Sequence, residues 1–403
     1  MPELPPQNWN VFRAPIEVLP IAPVPNEEWR FADKSIYPGA TARVYYGDGH
    51  TRLERPVILS DGFNTGPTSF DELYFELNGR EYAFADELRE RGYDLILLGY
   101  DERSASILHN AHRAQQCIRR AVQEVDENTS LVVGGFSMGG IITRYTLAKM
   151  ETEGIEHQTA LYLSFDSPHR GAWIPIGLQA FAHLDPNGAL SKQVNSPAAR
   201  ELLWRHIETY DGTPAEDGKR TDLLRALEAV GEWPVRPRKI AVANGNGAGH
   251  DNGIPSGTHK ALEITEGLLA GSAIYTQAAG DALVAEFFFG GQQLGAIRTQ
   301  DLPEVDRAAG GKLASFQIAA DGINKEAGED IAIAHYPDVC FVPTVSAVSI
   351  REIDGADAGV SRLPAQDSDL DEFLCSSEEH STMHSEMTRE LGSWLIEQIS
   401  SVK

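Results

Sequence analysis

The chain has 403 residues, with 34 basic and 59 acidic side chains and a formal net charge of −25. Hydrophobic residues make up 42% and charged residues 23%, which is core-forming material and excludes disorder for the bulk of the chain. Such acidity also argues against a nucleic-acid binder, whose affinity depends on clustered Lys and Arg. Three scattered cysteines (Cys117, Cys340 and Cys375) make neither a disulfide framework nor a Cys-rich metal site; three free thiols in a reducing compartment is the plainest reading. The N-terminus, as it stands, lacks the basic start and apolar run of a signal peptide. The apolar stretches are Gly-interrupted and far short of the ~18 residues of a membrane span. These features read as a soluble protein, cytoplasmic or, if a leader has been removed, secreted.

Residues 1–40 are Pro-rich and irregular, an arm laid over a body, with Trp9, Phe12 and Trp29 as anchors. Strands are expected at 42–46 and 55–60 around the turn Gly47-Asp48-Gly49. A helix at 81–91 stops at Gly92, and 94–100 is an apolar run of strand length. A long amphipathic helix (107–128), a buried strand (131–136), a helix (138–153) and another strand (160–165) follow. Strand and helix in alternation predict an α/β fold with a mostly parallel sheet covered on both faces. Residues 172–237 break that rhythm with helical pieces and read as a cap or lid inserted between a first core part (41–171) and a second (238–403). Residues 239–244 resume as a strand, and 244–258 form a Gly- and Asn-rich loop. Short alternating runs predict a small antiparallel β insertion at about 258–298. The chain closes with a strand at 340–350, an acidic loop and a helix from about 385 to 400.

Gly135-Phe136-Ser137-Met138-Gly139 matches G-x-S-x-G, with a buried strand leading in and a helix leading out. Such a turn holds a nucleophile in a strained backbone, and small residues two positions either side let the chain approach itself. The amide of Met138 then points to where an oxyanion would develop, and the helix N-terminus adds positive potential.

On these residues the chain resembles the α/β-hydrolase superfamily, in its lipase and esterase branch. Three other segments carry the resemblance. Val57 to Asn64 sits where the family has a strand ending in an oxyanion loop. Ser164-Phe165-Asp166-Ser167-Pro168-His169-Arg170-Gly171 is similar to the segment after the strand beyond the elbow. Phe341 to Ala347 resembles a late strand segment. The likeness covers residues ~40–170 and the last 70 or so. It implies Phe63 as second amide donor to the oxyanion. Asp61 departs from the family's usual His, and its carboxylate opposes an oxyanion unless it is paired or turned away.

A serine hydroxyl needs a base, and the base an orienting acid. The resemblance places the histidine in a loop before the last helix, where His380 and His384 stand. His380 is preferred as a loop residue, with His384, expected at the helix start, as the alternative. The i, i+4 pair suggests no third metal ligand. For the acid, Asp166 is preferred over Asp338, with Asp251 behind both; capping is the other role open to Asp166. His169 reads as architectural. Trp173 and Ile174 open an apolar face that either lines an acyl pocket or packs the insertion onto the sheet.

The leading expectation is therefore a cofactor-free serine hydrolase of carboxylic esters acting on a neutral or hydrophobic small molecule. An acyltransferase, thioesterase or cyclase with the same triad is the alternative, and an inactive hydrolase-like binding protein a third. The six carboxylates between Asp367 and Glu379 lead directly into His380. If they lie beside the site, they favour the imidazolium, neutral to alkaline activity and non-anionic substrates.

Overall fold

A computed structural model describes residues 21–402 apart from 80, 185–187, 351, 357–358, 361–362, 364–366 and 378. The expected anchors Trp9 and Phe12 lie outside the described residues. The chain begins with β1 (Glu27–Phe31), β2 (Ala40–Tyr45), β3 (Pro56–Ser60), α1 (Phe70–Leu77), α2 (Phe84–Glu90) and β4 (Asp94–Tyr100). It continues with α3 (Ile107–Glu124), β5 (Leu131–Phe136), α4 (Met138–Thr152) and β6 (Thr159–Phe165). Four helices follow, α5 (Ile176–His183), α6 (Ala189–Val194), α7 (Pro197–Leu202) and α8 (Gly218–Ala229), before β7 (Arg238–Ala243). Then come β8 (Lys260–Ile264), β9 (Ala273–Tyr275), β10 (Gly280–Phe289), β11 (Gln292–Leu302), β12 (Gly310–Leu313), α9 (Ser315–Ala327) and β13 (Ala332–Ala334). The last elements are β14 (Val339–Pro343), the single turn α10 (Thr344–Ala347), β15 (Glu372–Cys375) and α11 (Arg389–Ser400).

Eight strands form the central sheet in the order β1-β2-β4-β3-β5-β6-β7-β15. Only β2 runs against the others. Side chains alternate along each strand, as the two-residue period of a strand demands. Ile58, Ile96 and Val133 join the core beneath α3 and α4, whereas Val57, Leu59, Leu95 and Val132 pack under α1, α2 and α11. Both faces are thus covered, which is why these strands read as unbroken apolar runs. Burying each such side chain contributes roughly 1.5–3 kcal/mol.

Three features depart from the sequence reading. The arm supplies an edge strand, β1, and buries Trp29 within the core. The antiparallel insertion runs on past residue 298: β11, β10, β9, β8 and β13 form a five-stranded sheet reaching Ala334. The expected strand at 340–350 stops at Pro343, turns into α10, and pairs antiparallel with β12 outside the central sheet. The last strand of the central sheet is instead β15, which lies in the segment expected to be an acidic loop. Its register is Glu372 to Cys375 alongside Ile240 to Ala243, parallel. Its charges are matched: Glu372 pairs with Arg238, Asp371 with Lys239 at 3.2 Å, and Asp369 with Arg170 at 2.7 Å.

Candidate active site

Ser137 sits between β5 and α4 with φ 51° and ψ −124°, a left-handed backbone that a non-glycine residue holds only under strain of about 1–3 kcal/mol. The glycines around it explain how the turn closes. A β-carbon on Gly135 would collide with the backbone of Gly139, and one on Gly139 with the carbonyl of Ser60. The Ser137 amide donates to the Phe165 carbonyl at 2.9 Å. Phe136 and Phe165 are register partners on β5 and β6, so Ser137 and Asp166 leave the same end of adjacent parallel strands.

The loop after β3 runs against this turn. A β-carbon on Gly62 would lie 3.1 Å from Ser137 Cβ and 3.8 Å from the Met138 nitrogen, which puts the Gly62–Phe63 backbone beside the elbow. Asp61 is buried here and is paired. Its Oδ1 accepts from the Gly62 amide at 2.7 Å, its Oδ2 from Thr68 Oγ1 at 2.7 Å, and Arg103 Nη1 stands 3.5 Å from Oδ2. The Arg103 guanidinium is itself buried beside the carbonyls of Thr65 and Gly66. The carboxylate that sequence left as a threat to an oxyanion is therefore offset by a buried cation.

At the end of β6, Asp166 has φ 46° and is fully buried. Its Oδ2 bonds His384 Nδ1 at 2.7 Å, and its Oδ1 accepts from the Asn244 amide at 3.0 Å. The histidine bonded to Asp166 is thus His384 and not His380. The His380 side chain is 87% exposed, with Glu379 3.9 Å away, whereas that of His384 is 9% exposed. His384, expected at the helix start, precedes α11, which begins only at Arg389. His384 lies in a loop whose amide donates to the Lys312 carbonyl of β12 at 2.8 Å, and its ring meets Phe341 edge-on at 4.8 Å. The other acid candidates lie elsewhere: Asp338 faces Lys312 Nζ at 3.5 Å and Asp251 faces Arg307 at 2.7 Å.

Strand order, one reversed strand and a strained serine between β5 and α4 decide the architecture. The chain has the α/β-hydrolase fold. Neither a family model nor a curated protein matches it. Among solved structures it is similar to the mature lipase BlEst2 of Bacillus licheniformis, at 14% identity and a TM-score of 0.34 over 56% of this chain and 74% of that one. It is also similar to the esterase Est22 (12% identity, TM-score 0.34, 54% and 62%) and to a bacterial heroin esterase (14%, 0.33, 54% and 65%). The alignment spans less than two thirds of the latter two proteins.

Of the two roles left open for the insertion's apolar face, Trp173 and Ile174 take up the packing one. Trp173 and Ile174 are fully buried; Trp173 Nε1 donates to Asp306 Oδ1 at 2.6 Å and the ring lies 6.1 Å from that of Trp204. His169 is buried, bonds Ser164 Oγ through Nε2 at 2.8 Å and packs on Trp233. Burial pushes its pKa well below the ordinary imidazole value, with Arg144 and Arg170 adding to the shift. Three site neighbours went unread in the sequence: Arg103, Asn244 and Gly311. The Gly- and Asn-rich composition after β7 was the one local signal for any of them. No helix among the described residues is long and apolar enough to cross a membrane.

Proposed function

We propose that this protein is a serine hydrolase that cleaves a carboxylic ester through an acyl-enzyme. Ser137 is the nucleophile, His384 the general base and acid, and Asp166 the group that orients it. The observation that carries this reading is the 2.7 Å bond between Asp166 Oδ2 and His384 Nδ1, beside the strand end where Ser137 stands in its strained turn.

With Nδ1–H held by Asp166, the other ring nitrogen is the one that takes a proton. Ser137 Oγ attacks the ester carbonyl as its proton passes to His384 Nε2. The amides of Met138 and Phe63 receive the negative charge on the carbonyl oxygen. Collapse breaks the ester C–O bond, and His384 returns the proton to the departing alcohol. Water then repeats the sequence on the acyl-enzyme, releasing the acid and free Ser137. Because the base must be neutral in the free enzyme, activity falls at acid pH. The excess of acidic side chains favours neutral substrates over anionic ones.

Turnover of short and medium p-nitrophenyl esters, with covalent labelling by a fluorophosphonate, tests the reading. Ser137→Ala is expected to lose labelling and on the order of 10³-fold or more in kcat. Wild type that neither turns over esters nor labels at Ser137 would overturn it.

A further inference from the structure

Asn244, the first residue after β7, is fully buried and bonds both Asp166 and the loop that carries His384. Its backbone amide donates to Asp166 Oδ1 at 3.0 Å. Its side-chain Nδ2 donates to Thr382 Oγ1 at 2.8 Å and to the Glu386 carbonyl at 2.9 Å. Its carbonyl accepts from the Thr382 amide at 2.8 Å. Thr382 and Glu386 stand two residues before and two residues after His384, so one amide group ties together the two ends of the loop that presents the imidazole. On the far side, the Lys312 amide donates to the Thr382 carbonyl at 3.0 Å and the Lys312 carbonyl accepts from the His384 amide at 2.8 Å.

We propose that Asn244 is a positioning residue that fixes the distance between Asp166 and His384. This rests on the reading of those two residues as the acid and base of Ser137. Stability by itself does not account for an amide at this place. The two donated hydrogen bonds are offset by Asn244 Oδ1, which is buried without a protein partner. What the side chain provides is geometry. A loop of five residues, 382–386, has no helix or sheet of its own beyond the single bridge between Lys312 and Met383; a turn bond from the Glu386 amide to the Met383 carbonyl at 3.0 Å shapes it, and Asn244 Nδ2 is the side-chain donor that Thr382 and Glu386 share. The same residue also holds Asp166 through its main chain, so the acid and the base are referenced to a single point at the end of β7. A misplacement near 1 Å of a catalytic group is enough to cost ~10²-fold in rate.

The experiment compares wild type with Asn244→Ala, Thr382→Val and Thr382→Ser. Thr382→Val removes the Oγ1 acceptor without touching Asn244, and Thr382→Ser restores it. Three readouts are taken on folded protein, verified by circular dichroism and thermal unfolding. They are kcat and KM on a p-nitrophenyl ester, the pH profile of kcat/KM, and the downfield proton resonance of the imidazole N–H bound to Asp166, assigned by its loss in His384→Ala. Asn244→Ala is expected to lower kcat by roughly 10–100-fold with KM little changed, to displace the pH profile, and to broaden or remove the resonance. Thr382→Val should follow in the same direction, with Thr382→Ser close to wild type. A folded Asn244→Ala or Thr382→Val that keeps wild-type kcat, pH profile and resonance overturns the proposal. So does a fall in kcat with the resonance and pH profile intact. The resonance needs no substrate: a wild type that hydrolyses no ester would sink the functional reading while the hydrogen-bonded pair, and the role of Asn244 in it, is still read directly.

Discussion

Gly311 of β12 lies against the Asp166 carboxylate so closely that a β-carbon built on it would overlap Oδ2, the oxygen that bonds His384. The glycine is needed there for space, since its backbone is ordinary and no positive φ is involved. A strand from the antiparallel part of the chain thereby becomes one wall of the acid's pocket. Gly311→Ala is expected to push Asp166 off Nδ1 and to lower kcat on a p-nitrophenyl ester by about 10–100-fold, while the protein still folds. Wild-type kcat in a folded Gly311→Ala would show that Asp166 has room to shift without consequence.

The two histidines make opposite predictions. His384→Ala should abolish turnover and slow labelling of Ser137 by a fluorophosphonate. His380→Ala, at an 87% exposed side chain, should leave kcat within about twofold, as surface substitutions do. The reverse pattern would return the base to His380 and require a rearranged loop.

Asp61 and Arg103 are expected to act as a unit in stability. Removing one member of a buried ion pair leaves the other uncompensated, at a cost of about 3–5 kcal/mol in the strongest cases. Asp61 keeps its bonds from Gly62 and Thr68 when Arg103 is lost, so Arg103→Met should cost toward the lower end. Asp61→Asn/Arg103→Met should recover part of that loss in urea unfolding. Strict additivity of the two single changes would mean that the pair is not coupled.

Burial sets a pH dependence of stability at two carboxyls away from the reaction. Glu201, which accepts from Ser106 Oγ and the Ile107 amide at 2.6 Å each, is pushed up to about 7, and Asp306, beside Trp173, to about 6. A raised folded-state pKa means that the native protein holds a proton the unfolded chain has released. The resulting stability is fully present below the ordinary carboxyl range and is lost as pH rises through about 7 for Glu201. Glu201→Gln removes this titration. Its stability relative to wild type should therefore improve from pH 4 to pH 8 by on the order of 2–3 kcal/mol. A relative stability that does not change with pH would contradict the shift.

The acidic run leads into His380, but its Asp369, Asp371 and Glu372 are matched by Arg170, Lys239 and Arg238, and His384 faces Asp166. The run is largely the flank of a strand. That strand, β15, was illegible because it is only four residues long and its apolar residues Phe373, Leu374 and Cys375 are half-buried at a sheet edge. Its stability comes from pairing with β7 and from cations contributed by residues 170, 238 and 239, none of which a local pattern can announce.

What the sequence determined by itself was whatever depends on near neighbours. Two-residue alternation and unbroken apolar runs located β4 and β5 to the residue, Gly135 and Gly139 marked the sharp turn at Ser137, and Asp166 followed its strand directly. The tertiary structure decided everything that depended on chain segments far apart. It brought His384, and not its neighbour four residues earlier, to Asp166, in a loop bonded to β12 and Asn244. It neutralised Asp61 with Arg103, and it turned Trp173 inward to Asp306. A short-range pattern records the local backbone preference of a segment. The partner of a buried charge or the reach of a loop is set by packing between distant elements, and only the folded chain contains that information.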